Sequence, residues 1–109
     1  MNPLDLRYLE ACLASFIETS TNRLSRNGSM SHVYRITAAE VKERTKRQRL
    51  HEAVISDYLN FFARHQVQAE FVSDYSDFTV TVDLRNCILS PQQSKFVSAA
   101  MDHFRSLGD

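Results

Sequence analysis

Residues 37–62 read TAAEVKERTKRQRLHEAVISDYLNFF, and they contain two helical patterns separated by a polar interruption. The first pattern begins at Thr37, whose hydroxyl is placed to accept a hydrogen bond from the backbone amide of Glu40. The Glu40 carboxylate is placed to accept one from the backbone amide of Thr37, which completes a capping box. A helix is therefore predicted to begin at residue 38.

The interruption covers residues 42–49, which contain no large apolar side chain. From Leu50 to Phe62 the apolar residues return at helical spacing. We therefore predict two helices, over residues 38–45 and 49–65. One continuous helix is the alternative, because neither Gly nor Pro lies between the two patterns.

A long helix is predicted before this stretch, over residues 3–26. Asn2 can cap it, Pro3 suits its first position, and Gly28 can end it in a left-handed conformation. At 1.5 Å per residue such a helix is roughly 36 Å long. Because this is long for one small domain, we expect part of its apolar face to contact a second subunit and form a homodimer. That face consists of Leu6, Leu9, Leu13, Phe16, Ile17 and Leu24.

The remaining patterns predict three strands and a closing helix. Residues 32–36 have the β-branched and aromatic content of a short strand, and residues 67–84 have the pattern of a β-hairpin. A second capping box, from Ser90 to Gln93, begins a helix over residues 91–107. Its predicted buried stripe is Phe96, Val97, Ala100, Met101, Phe104 and Leu107.

The composition is that of one globular domain, covering residues 1–109. Hydrophobic residues make up 43%, and 13 basic against 13 acidic side chains give a formal net charge of zero. Only two glycines are present, so a Gly-rich phosphate-binding loop is excluded. No apolar run approaches the ~20 residues of a membrane span, and no signal-peptide pattern is present. We therefore expect a cytoplasmic protein with no membrane segment, in which Cys12 and Cys87 are reduced and buried.

Charge is distributed unevenly along the chain. Residues 35–65 carry seven basic and four acidic side chains, whereas residues 66–109 carry three basic and six acidic ones. Five of the basic side chains fall within residues 42–49, which favours an anionic partner. The alternative is a solvated helix surface stabilised by i,i+4 ion pairs, from Glu40 to Arg44 and from Glu43 to Arg47.

The order helix, short strand, helix, helix, hairpin, helix resembles the winged-helix family of DNA-binding domains. The short strand is residues 33–36. The first central helix opens at residues 37–41, the second covers residues 51–62, and the hairpin is residues 67–84. The resemblance implies an α+β, winged-helix-like fold. It also implies that the second central helix enters the major groove of duplex DNA, while the hairpin lies along the DNA backbone.

The same resemblance implies a site for a small transcriptional regulator. Base contacts would come from the start of the second central helix and phosphate contacts from the basic run, with Gln suited to adenine and Arg to guanine. For Glu52 and Ser56 taken singly, simple solvent exposure is the alternative. The predicted DNA-binding residues are Lys42, Arg44, Lys46, Arg47, Gln48, Arg49, Glu52 and Ser56.

A protein-interaction module of the same fold, such as a small inhibitor or adaptor that does not bind nucleic acid, is the second hypothesis. Its binding surface would be the hairpin tip, with Asp74, Tyr75 and Asp77. The two carboxylates would repel DNA phosphates. The DNA-binding hypothesis therefore does not explain the acidic hairpin. Tyr75 either contacts a partner or lies back on the sheet.

Neither an enzyme nor a metal protein is predicted. His32, His51, His65 and His103 lack the spacing that lets two histidines of one element bind a metal, and the two cysteines are far apart. No serine lies in a nucleophile elbow. We therefore expect no catalytic residues, no metal and no cofactor.

Overall fold

The computed structural model describes residues 1–108, which form four helices and one three-stranded antiparallel sheet. An α+β fold is therefore confirmed. In chain order the elements are α1 (Pro3–Asn27), β1 (Ser31–Thr37), α2 (Ala38–Thr45), α3 (Glu52–Arg64), β2 (Gln68–Val72), β3 (Asp77–Asp83) and α4 (Pro91–Leu107).

The central helical stretch divides into two helices, as predicted, although α3 begins at Glu52 rather than at residue 49. Lys46 ends α2 because it adopts a left-handed backbone, with φ 59° and ψ 25°. Helix α2 is not solvated on all sides, since Val41 and Thr45 are buried. Residues 46–51 therefore form a non-helical turn between two helices that are both anchored in the core.

Replacing Lys46 with Gly is expected to raise the free energy of unfolding by about 0.5 kcal/mol. A left-handed conformation costs an L-residue ~1–2 kcal/mol, and the larger conformational entropy of Gly in the unfolded chain offsets part of that gain. Urea denaturation measures the change as a shift in midpoint at constant slope. Lys42→Gly is the matched control, because it places Gly inside α2 and should cost ~1 kcal/mol. Equal destabilisation by Lys46→Gly and Lys42→Gly would contradict the left-handed backbone assigned to Lys46.

Local capping sets the ends of the helices. Asn2 accepts a hydrogen bond from the Asp5 amide at 2.9 Å, and Gly28 ends α1 with φ 72°. Both halves of the predicted capping box are present at Ser90 and Gln93. At Thr37 the hydroxyl accepts from the Glu40 amide at 3.1 Å, while within residues 1–108 the return contact from the Glu40 carboxylate is not formed.

The sheet places β3 in the centre, paired with β1 on one side and β2 on the other. The predicted hairpin is confirmed as β2 and β3. Phe78, Val80 and Val82 alternate along β3 and are fully buried, so the sheet covers the core with one face. The core is completed from the helices by Leu9, Leu13, Ile17, Leu24, Val41, Val54, Tyr58, Phe61 and Phe62.

The predicted buried stripe of α4 is confirmed in part. Ala100 is buried, and Val97 and Met101 pack half-buried against the core. Phe96 and Leu107 are instead 58% and 59% exposed. The reason is that α4 packs chiefly against α1, where the Phe104 ring lies against Gly28, and so buries only part of its apolar surface. The cysteines are free, with Cys87 buried and Cys12 half-buried.

Candidate nucleic-acid interface

Four of the predicted DNA-binding residues meet in one shallow cleft at the turn between α2 and α3. The cleft has a volume of about 420 Å³, and we call it the turn cleft. Two cationic side chains besides Arg47, those of Lys46 and Arg49, contribute to it. Its lining residues are Asn2, Thr45, Lys46, Arg47, Gln48, Arg49 and His51.

The other four predicted DNA-binding residues lie outside the lining of the turn cleft. Lys42 and Arg44 are exposed on α2, and Glu52 and Ser56 are exposed on α3. All four side chains are accessible to solvent, so the structure leaves their assignment as a prediction.

The N-terminal end of α3 lies beside the turn cleft, because the N-cap residue His51 is one of its lining residues. His51 is the N-cap residue of this helix, but its side chain makes no capping hydrogen bond. The first amide groups of a helix have no partner within the helix, and the helix dipole adds a partial positive charge there. The backbone therefore adds positive potential to that of Lys46 and Arg49.

Arg47 is the exception in this cluster, because its guanidinium is used inside the protein. Its Nε donates to both carboxylate oxygens of Asp5, at 3.0 and 3.2 Å, and its Nη2 also donates to Asp5. The hydroxyl of Tyr58 donates to the same carboxylate at 2.7 Å. Asp5 and Tyr58 are fully buried, so an ion pair from α1 holds the turn and α3 together.

The protonation of this cluster follows from its partners. Burial raises the pKa of Asp5, but the hydrogen bonds from Arg47 and Tyr58 and the charge of Arg47 outweigh it, so the pKa of Asp5 lies below its ordinary value. Burial and the hydrogen bond to Asp5 raise the pKa of Tyr58, which stays a neutral donor. The cluster is thus a carboxylate paired with a guanidinium.

Two sequence-based expectations for Arg47 change as a result. The Nε and Nη2 donors of Arg47, for which a phosphate contact was predicted, are directed to Asp5. The expected pair with Glu43 is replaced by this buried one. The sequence did contain a signal that we missed. Asp5 lies four residues before Leu9, so it occupies the buried stripe of α1, whereas Leu6, which we placed on that stripe, is 42% exposed.

The hairpin tip differs from the predicted acidic surface in one respect. Asp77 is buried and pairs with Arg35 across the β1–β3 ladder, so it does not face solvent at the tip. Asp74 is exposed, and Tyr75 is 73% exposed. The tip therefore carries one free carboxylate and one free aromatic ring instead of two carboxylates.

Residues 1–108 contain neither a candidate metal site nor a helix suited to spanning a membrane. No three side chains of His, Cys, Asp or Glu lie close enough there to hold a metal ion. None of the described helices has the length and apolar character of a membrane span. Comparison with known proteins finds no matching family model, no similar curated protein and no similar solved structure.

Proposed function

We propose that this chain is a cytoplasmic DNA-binding regulator of winged-helix type, which binds duplex DNA through the turn cleft and the N-terminal end of α3. The observation that carries the proposal is the convergence of Lys46, Gln48, Arg49 and His51 at the start of one helix. An accessible cleft of this charge suits the phosphate backbone, and a helix end beside it suits the major groove. No catalytic step and no cofactor are part of the proposal.

The arrangement of the elements supports this function. The α2–turn–α3 segment stands between β1 and the β2–β3 hairpin, and β1 pairs with β3. This is the placement that the winged-helix resemblance implies for a helix-turn-helix followed by a wing. The ion pair with Arg35 neutralises Asp77, which reduces the negative charge that the hairpin tip presents to a DNA backbone to that of Asp74.

The phosphate contacts are assigned to Lys42, Arg44, Lys46 and Arg49. All four are exposed, and none of them has an ion-pair partner in the part of the chain that the structure describes. Four such contacts predict that log K falls with log salt with a slope of about −4. Arg47 is assigned to the structure of the turn and not to the DNA.

Base contacts are assigned to the exposed side chains at the start of α3. Gln48, in the turn just before α3, can form two hydrogen bonds with adenine. Glu52 and Ser56 follow on the exposed surface of the same helix. Substitution of Gln48 is therefore expected to change sequence preference more than overall affinity.

The test is a fluorescence-anisotropy titration of random duplex DNA at several salt concentrations. Wild-type protein is expected to bind at micromolar concentration in low salt. The double variant Lys46→Ala/Arg49→Ala should bind all sequences more weakly and reduce the salt slope by about 2, because each lost phosphate contact removes about one unit.

Arg64→Ala is the matched control, since it removes an exposed positive charge from α3 in its last turn, away from the turn cleft. It should leave both affinity and salt slope nearly unchanged. The proposal fails if wild-type protein does not bind at micromolar concentration, if binding ignores salt, or if Arg64→Ala has the same effect as the double variant.

A protein-interaction module is the second candidate, and the exposure of Tyr75 at the hairpin tip favours it. An exposed aromatic ring beside a free carboxylate is a typical anchor for a protein partner. The proposed surface for this candidate is Asp74 and Tyr75, because Asp77 is paired with Arg35. This function predicts no salt-dependent DNA binding in the same titration.

A further inference from the structure

A groove between α1 and α4 lies on a different part of the molecule from the turn cleft. Its volume is about 770 Å³, and Phe96 stands at its edge with 58% of its surface exposed. Most other lining side chains are small or polar. They include Ala14, Thr21, Ser25, Ala99 and Ala100.

The molecule as a whole is elongated. The radius of gyration is 15.2 Å, whereas a compact chain of this length has one of about 13 Å. The longest dimension is 52 Å against 28 and 21 Å for the others. A 17-residue helix with one buried side chain therefore remains accessible along an elongated body.

We propose that a second copy of this chain packs on the α1/α4 face, with Phe96 of each copy inserted in the groove of the other. The inference does not depend on DNA binding. It replaces the expected contact through the long N-terminal helix alone with a surface in which α4 supplies the main anchor.

Self-complementarity is the first reason for choosing a second copy. A two-fold dimer uses the same patch on both subunits, so one patch must present both a projecting group and a recess. Phe96 supplies the projecting ring, and the small side chains of Ala14 and Ala99 leave the recess beside it. Both features lie on one face, which is the requirement of a two-fold contact.

The charge of the face is the second reason. The residues that line the groove include one carboxylate, that of Glu18, and no lysine or arginine. Such a nearly neutral surface can meet its own copy without net repulsion, whereas a nucleic acid or a strongly charged peptide requires a charged one. The low net charge of this face therefore favours a second copy of the chain as its partner.

The available area is the third reason. With 25 residues in α1 and 17 in α4, and ~1.5 Å of rise and ~10 Å of width per helix, the face covers roughly 600 Å². Two copies would bury about 1,200 Å² in total, which is at the lower end of stable interfaces. We therefore expect association at micromolar concentration rather than a permanent dimer.

Sedimentation velocity over a dilution series from ~100 to ~1 μM tests the proposal. Wild-type protein should be dimeric at the upper end and dissociate on dilution. Phe96→Asp should weaken association at least ~30-fold, the scale of an interface hot spot. Ala99→Arg, which fills the groove and keeps a good helix former, should do the same.

Tyr75→Asp is the matched control, because it places the same charge on an exposed aromatic position of the hairpin and should leave the dimer intact. Far-UV circular dichroism verifies that each variant is folded. A monomeric wild type at ~100 μM, or a dimer that survives both groove variants, overturns the proposal. Association should persist at high salt, which separates it from the salt-sensitive DNA binding proposed above.

Discussion

Replacing Arg47 with Ala is expected to lower the free energy of unfolding by about 3 kcal/mol. The substitution leaves the fully buried carboxylate of Asp5 without its cation, and an unpaired buried charge is among the most destabilising changes in a protein. Tyr58 alone cannot compensate, because its hydroxyl supplies a single hydrogen bond. Urea denaturation of the variant and the wild type measures the difference.

Arg49→Ala is the matched control for this experiment, since it removes an exposed arginine two residues further along the same turn. It should change stability by less than about 0.5 kcal/mol. Asp5→Ala should lower the free energy of unfolding much less in the Arg47→Ala background than in the wild type, because the two residues form one ion pair. Equal effects of the two arginine variants would show that the buried pair does not stabilise the turn.

Acid titration supplies a second check on the same pair. The pKa of Asp5 is lower in the folded protein than its ordinary value of about 3.9, so its stabilising contribution is present above that pH. The contribution is lost as the pH falls through the folded-state pKa. The stability difference between wild type and Arg47→Ala should therefore be largest near neutral pH and should shrink below about pH 4. A difference that stays constant on acidification would contradict the ion-pair explanation.

Phe78→Ala is expected to be as damaging, with a loss of about 3–5 kcal/mol. Phe78 is fully buried, and its ring centroid lies 5.3 Å from that of Tyr58 and 5.0 Å from that of Phe71. It stands on the central strand, so its ring joins α3 to both strands of the hairpin. Truncation to Ala leaves a cavity that the paired backbone of β3 cannot close.

The control for Phe78 is Tyr75→Ala, which removes an aromatic ring that is 73% exposed and should change stability by less than about 0.5 kcal/mol. Both variants are compared by urea midpoint and slope. A loss below about 1 kcal/mol for Phe78→Ala would mean that the hairpin is held in place by its backbone pairing rather than by this aromatic cluster.

Much of the fold is predictable from the sequence because its signals are local. The caps at Asn2 and Ser90 act within three residues, and the alternation along β3 needs only its own side chains. The break in the central helical stretch is visible as missing apolar residues between Val41 and Leu50. Its left-handed Lys46 is not, since no glycine marks the position.

The candidate site was predictable only in part. A run of basic residues indicated Lys46, Gln48 and Arg49, which the fold brings together in the turn cleft. The same run included Arg47 with equal weight, although its partner Asp5 lies 42 positions away in the sequence. Charge counts treat Lys46, Arg47 and Arg49 alike as solvated cations, and they do not show which of the three meets a buried carboxylate.

The sequence by itself therefore determined most of the ends of helices and strands, apart from the start of α3, because caps, turns and side-chain periodicity depend on neighbours a few residues apart. Only the tertiary structure decided which charges are free, since Arg47 and Asp77 each find a partner 42 positions away. It also decided which apolar faces are covered. The periodicity of α4 specifies an apolar stripe, but burial requires a second surface, and α1 covers only part of it.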